Sequence, residues 1–187
     1  MSELPLQGPV EEQSICVKCG FCCDGTLFLH AHLNPGERGV GRLPEWIEEN
    51  SISEDGKDYF PHPCHYFSEK CTIYDRARAD VCGSYRCQVL NDFADGKIIL
   101  TDAMEVVREA MSIRTEIIEE YRRISGNNGD INFKQILIEL GKIQKSVPER
   151  KAVSMDYEML LARCNIFEAL LIKHFRSAEN FEKMIMK

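Results

Sequence analysis

Tryptophan occurs once in 187 residues, and no apolar run approaches the roughly 18 residues that a membrane span requires. Met1 to Val10 has neither the basic block nor the apolar block of a secretory leader. The expected address is therefore the cytoplasm, with no membrane partner. Basic residues are also in short supply: 23 Lys plus Arg face 30 Asp plus Glu, a net charge of -7. A phosphate backbone would be repelled, so nucleic acid is not an expected partner. The second half has no glycine-rich phosphate loop or HExxH pair, and the chain has no visible internal repeat or low-complexity tract. With 44% hydrophobic and 28% charged residues, the composition excludes disorder and collagen-like structure.

Cysteine is what the chain has in excess. Of nine, eight fall in the first half (Cys16, Cys19, Cys22, Cys23, Cys64, Cys71, Cys82 and Cys87), and only Cys164 lies outside. Cytoplasmic thiols are kept reduced, so a dense cluster points to metal ligation or redox chemistry ahead of a disulfide framework. Charge points the same way. Residues 1–95 carry 8 Lys plus Arg against 16 Asp plus Glu, whereas residues 96–187 carry 15 against 14. Thiolates in an already acidic region repel one another unless cations occupy it, which makes a metal ion the expected partner.

Spacing narrows the options. Cys16-Val17-Lys18-Cys19 and Cys19-Gly20-Phe21-Cys22 place three sulfurs on one expected short loop, where two-residue gaps let successive thiolates aim at a common centre. Cys23 follows Cys22 directly, and adjacent side chains diverge, so two centres, or one ligand left over, fit better than both sulfurs on one tetrahedron. The remaining four cysteines lack the paired CxxC knuckles of a zinc ribbon. CxxCxxC matches the first three ligands of a ferredoxin-type run, but Cys23-Asp24 does not supply its fourth cysteine and proline. A [4Fe-4S] cluster would draw a remote ligand from Cys64, Cys71, Cys82 or Cys87.

The segments CVKCGFCCDGTLF, PCHYF and CTIYDRARADVCGSYRC resemble the CxxCxxCC cysteine-cluster family, the YkgJ-type zinc- or iron-chelating domain. The resemblance covers roughly residues 14–90, with the eight cysteines in the family order and the Pro63-Cys64 and Ile73-Tyr74 neighbours in place. It departs where Ala77 stands for the usual proline after Arg76. The family, which includes relatives of flagellin lysine methylases, implies metal chelation by Cys16, Cys19, Cys22, Cys23, Cys64, Cys71, Cys82 and Cys87.

Along the chain, residues 1–14 read as a polar arm broken by Pro5, Gly8 and Pro9, residues 15–100 as a cysteine-cluster metal-binding domain, and residues 101–187 as a helical domain. Leu27 to Leu33 alternates with period two, as a strand does, which puts His30 and His32 on one face, where an ordinary polar surface is a better reading than metal ligation. Leu43, Trp46 and Ile47 predict a short helix ending near Asn50, Ser51 to Asp58 an acidic loop, and Asp95-Gly96 a turn into a closing strand at Lys97 to Leu100. His62 and His65 flank Cys64 and suit a supporting or surface role better than ligation. Asp75, Arg76, Arg78 and Arg86 sit among the last cysteines, where arginine suits sulfur, an anion or a surface ion pair. Helical periodicity then starts at Thr101 with Asp102 as N-cap and stops at Gly126. It resumes around Phe133, ending before Pro148, and again from Ser154. Cys164 falls on the apolar stripe of the last helix and reads as core.

The expected fold class is α+β: a small, loop-rich metal-binding cysteine lobe with short strands, followed by a three-helix C-terminal region. The expected function is metal chelation through the eight cysteines, with an iron-sulfur cluster or iron as cofactor, or alternatively zinc. The helical half is available for a protein partner. Two other functions are compatible: a metal- or cluster-dependent enzyme (redox or protein-modifying, methylase-like) and an interaction protein with purely structural zinc.

Overall fold

The computed structural model describes residues 9–146 and 154–176; Pro5, Gly8 and Pro148 lie outside them. The architecture is α+β, with seven helices and two small antiparallel sheets among the described residues. Helix α1 (Val10–Cys19) starts directly after Pro9, inside the stretch expected as an arm. Glu11 and Glu12 sit in its first turn, where they meet the positive end of the helix dipole, and Gly20 ends it in the left-handed region at φ 65°. Cys16 and Cys19 are therefore helical, not on a loop as expected. Three residues apart, they share one face. Cys22 and Cys23 follow on a turn in which the Cys23 and Asp24 amides donate to the Gly20 carbonyl at 2.8 and 2.9 Å.

The larger sheet has the order β1-β3-β2, with β1 (His30–His32), β2 (Ile52–Glu54) and β3 (Lys57–Pro61). His30 lies opposite Pro61, and Ile52 opposite Tyr59. β1 is shorter than the period-two pattern predicts, because Leu27 leaves the alternation to pack among the helices while Leu29 stays exposed. The expected acidic loop is instead the β2-β3 hairpin. Asp55 and Gly56 turn it with φ of 50° and 72°, the two positive values that a two-residue hairpin of this hand requires. A second, two-stranded sheet pairs β4 (Phe67–Ser68) with β5 (Lys70–Cys71).

Helix α2 (Glu45–Asn50) lies where expected and buries Ile47. Helices α3 (Asp80–Ser84) and α4 (Gln88–Ala94) were not anticipated. The strand expected at Lys97 to Leu100 does not form. The Lys97 and Ile98 amides instead donate to the Asp92 carbonyl in the turn that closes α4, and Leu100 begins the next helix. That helix, α5 (Leu100–Ser125), has Ile99 at its cap position, so Asp102 lies in the first turn and is not the N-cap. Gly126 ends it at φ 68°. Helices α6 (Phe133–Ser146) and α7 (Met155–Phe175) complete the three-helix C-terminal region. Among the described residues, no helix is long and apolar enough to cross a membrane.

Two apolar clusters hold the chain together. The larger joins Ile15, Phe21 and Leu27 to Val107, Ile117, Phe133, Phe167 and Phe175, so the helices pack directly against the first cysteine segment. Cys164 is fully buried in it. The smaller comprises Leu33, Leu43, Ile47, Phe60 and Ala79.

Candidate metal centre

Phe21, between Cys19 and Cys22, is the anchor of the first cysteine segment. Its ring is fully buried and meets Phe167 and Phe175 edge-on, at 6.3 and 5.0 Å between centroids. The Arg114 guanidinium lies 5.2 Å from the same ring and pairs with Asp24, tying the residue after Cys23 to α5. Gly20 is required for close approach as well as for its φ, since a Cβ there would lie 2.4 Å from Cζ of Phe67. These contacts fix where the thiols of Cys22 and Cys23 sit.

The second cysteine segment reaches the first through backbone. The Cys64 amide donates to the Cys23 carbonyl at 2.7 Å. Cys71 lies on β5, Cys82 on α3, and Cys87 at the N-cap position of α4. The 85–88 stretch is held from the far end of the chain: Tyr85 Oη donates to the Phe175 carbonyl at 2.7 Å, and the Gln88 amide donates to the Arg176 carbonyl at 3.0 Å. Both acceptors are carbonyls at the end of α7 that have no partner within the helix.

The outcome is one cavity of about 240 Å³, walled in part by Cys16, Cys22, Cys23, Cys64, Cys71 and Cys82. A smaller cavity of about 40 Å³ is lined by Cys19 and Cys87, together with Cys16, Cys22 and Cys23. The two cavities together thus include all eight candidate thiols and not Cys164. All nine cysteines are free thiols. Among the described residues, no three His, Cys, Asp or Glu side chains stand close enough, as placed, to hold a metal ion.

Burial dominates the electrostatics. It pushes the thiols of Cys16, Cys19, Cys22, Cys23, Cys64 and Cys87 above their ordinary range, and neighbouring thiols push in the same direction. Cys82 is exposed as a residue, but its thiol faces the larger cavity and is pushed up to about 12. As it stands, then, the cluster favours neutral thiols, and a divalent cation is the kind of charge that would reverse that preference. Among the described residues, no Asp or Glu lines the larger cavity. Its permanent cation is Arg78, 7% exposed, with its guanidinium 4.2 Å above the Tyr74 ring and its Nε without a hydrogen-bond partner. Arg78 lowers the thiols of Cys16 and Cys82 against the effect of burial.

The other candidates are more peripheral. His30 and His32 are exposed at the edge of the larger cavity, their rings 5.1 Å apart. His62 also lines it. Its Nδ1 lacks a partner, and burial, followed by the charge of His30, lowers it to about 4. His65 is exposed and stacks on Trp46. Asp75 and Arg76 are exposed, and Arg86 pairs with Glu12 at 2.7 Å. Sequence reasoning missed Phe21 as an anchor. The available signal was a large aromatic placed inside a CxxC step. Comparison with protein-family models, with curated proteins and with solved structures finds no match.

Proposed function

We propose that this chain is a cytoplasmic metal-binding protein that holds iron, as an iron-sulfur cluster, or zinc through its eight clustered cysteines. One observation carries this: the thiols of Cys16, Cys22, Cys23, Cys64, Cys71 and Cys82, drawn from distant segments, face one cavity that has no carboxylate in its wall among the described residues. The donor set fits the group. Soft thiolates select zinc and iron-sulfur centres, and coordination relieves both the burial and the mutual repulsion of the thiols. Among the described residues no three such side chains are grouped closely enough to hold a metal as they stand, so loading would require the thiols to draw together. The resemblance to the CxxCxxCC family, carried by the residues quoted above, supports the same reading.

The decisive experiment is purification without oxygen, followed by metal analysis, the iron-to-sulfide ratio and the visible charge-transfer spectrum. Iron with matching sulfide supports a cluster, and a colourless zinc protein supports the alternative. A protein that takes up neither metal after reconstitution sinks the proposal.

A second reading, a metal-dependent enzyme, is favoured by the extent of the larger cavity beyond the sulfurs. Phe28, Ile47 and Phe60 wall that part, and Arg78 supplies a cation for a substrate. Release of a product from, or binding of a small organic anion to, the loaded protein would separate it from a closed, purely structural centre.

A further inference from the structure

Cys22 and Cys23 are consecutive, yet they belong to different surroundings. Cys22 packs against the larger apolar cluster, as do Cys19 and Cys87. Cys23 is bonded through its carbonyl to the amide of Cys64, and Cys64 packs against the smaller cluster around Ile47 and Phe60. The cavities separate five of the other thiols along the same line. Of the two, Cys19 and Cys87 line the smaller alone and Cys64, Cys71 and Cys82 the larger alone, while Cys22 and Cys23 stand between them and line both. Cys16 lines both, but it sits on α1 three residues before Cys19, and that spacing puts the two on one helix face.

We infer that the chain has two separate four-cysteine metal centres back to back across the Cys22-Cys23 peptide. The first comprises Cys16, Cys19, Cys22 and Cys87, and the second Cys23, Cys64, Cys71 and Cys82. Each takes one soft metal ion or one cluster, and the thiol protons pass to solvent as the metal enters. The division rests on the proposed metal-binding function and assigns each thiol within it. Four thiolates close a tetrahedral site, and the adjacent pair, whose side chains must diverge, supplies one ligand to each side without straining the peptide between them. The two centres differ in support. The first is built onto the α5 and α7 core, the second onto short strands and α3.

The test uses the full chain reconstituted with Co²⁺ under anaerobic conditions, with native mass spectrometry counting metal and thiolate-to-cobalt absorption reporting ligation. The expected result is two ions in the wild type, and one in each of Cys19→Ser, Cys87→Ser, Cys64→Ser and Cys71→Ser. Cys19→Ser/Cys87→Ser should still hold one ion, whereas Cys19→Ser/Cys64→Ser should hold none with tetrahedral thiolate absorption. Retention of one ion shows that the unaltered half is still folded. A wild type with a single centre, or a Cys19→Ser/Cys87→Ser variant that loses both ions, overturns the division and leaves the metal-binding function standing. A wild type that binds no cobalt, zinc or iron overturns both.

Discussion

The Cys64 amide donates to the Cys23 carbonyl at 2.7 Å, joining two cysteine segments that are far apart in sequence. The bond lies between a segment embedded in the large helical core and one whose apolar support is the small Leu33, Leu43, Ile47, Phe60 and Ala79 cluster. A small core leaves such a region dependent on a cross-link or a metal. Stripping the metal should therefore raise amide exchange across residues 59–87 while α5 and α7 keep their protection, read by hydrogen-exchange mass spectrometry. Unchanged exchange in residues 59–87 after complete metal removal would contradict this.

Phe21→Ala should be among the most damaging single changes outside the thiols. Its ring is fully buried between Phe167 and Phe175, and truncation of such a phenylalanine costs about 3–5 kcal/mol. Urea denaturation of the metal-free protein measures the loss. A cost under about 1 kcal/mol, the scale of a surface change, would mean that the ring is not an anchor.

Asp24 and Arg114 are 16% and 20% exposed at their side chains, between a surface pair and a fully buried one. Asp24→Asn or Arg114→Met alone should cost about 1–3 kcal/mol. The double variant should cost less than the sum, because each single change leaves a partly buried charge without its partner. Strict additivity in denaturation would show that the two do not interact in solution.

Arg78 stands nearly buried beside the thiols of Cys16 and Cys82, with Nε free of any hydrogen bond. If those thiols become thiolates on loading, Arg78→Gln should weaken metal binding by about 10–100-fold, the usual effect of losing a group that supports ligands from behind. Arg78→Lys should recover part of it. Competition against a chromophoric chelator gives both numbers, and equal affinities in all three proteins would rule the role out.

Cys164 supplies a pH test away from the site. Burial first, and then the Glu168 charge, pushes its thiol up to about 12, against about 8.5 in an unfolded chain. The fold therefore favours the neutral thiol. Its contribution is complete below about pH 8.5 and is lost as pH rises toward 12, at up to about 1.4 kcal/mol per pH unit. The stability difference between wild type and Cys164→Ala should shrink between pH 8 and pH 10 in denaturant titrations. A constant difference would show that the thiol is not buried.

Legibility followed periodicity. α5, α6 and α7 carry apolar stripes several turns long, so their existence and the burial of Cys164 were readable from spacing. The hairpin at residues 52–61 was hidden by its acidic composition, although Asp55-Gly56 is the dipeptide that marks such a turn. α1 was hidden because Cys16 and Cys19 suggested a ligand loop, when the same spacing also fits one face of a helix. That eight of the nine thiols group apart from Cys164 could be read from sequence, and these eight line the two cavities. Their distribution over two cavities, with Cys16, Cys22 and Cys23 shared, could not, because it depends on Phe21 and Tyr85 reaching across to the end of α7.

The bond from Tyr85 Oη to the Phe175 carbonyl also imposes an order of assembly. Its partners are 90 residues apart, so at about 5–20 residues per second of synthesis the acceptor is made about 5–18 s after the donor. For all but the first two residues of that interval every candidate thiol has been made, while the helix end that steadies the Cys87 segment has not. A ribosome-bound chain thus has a period of seconds in which its sulfurs are open to a metal donor, or to an oxidant, before the last helix docks.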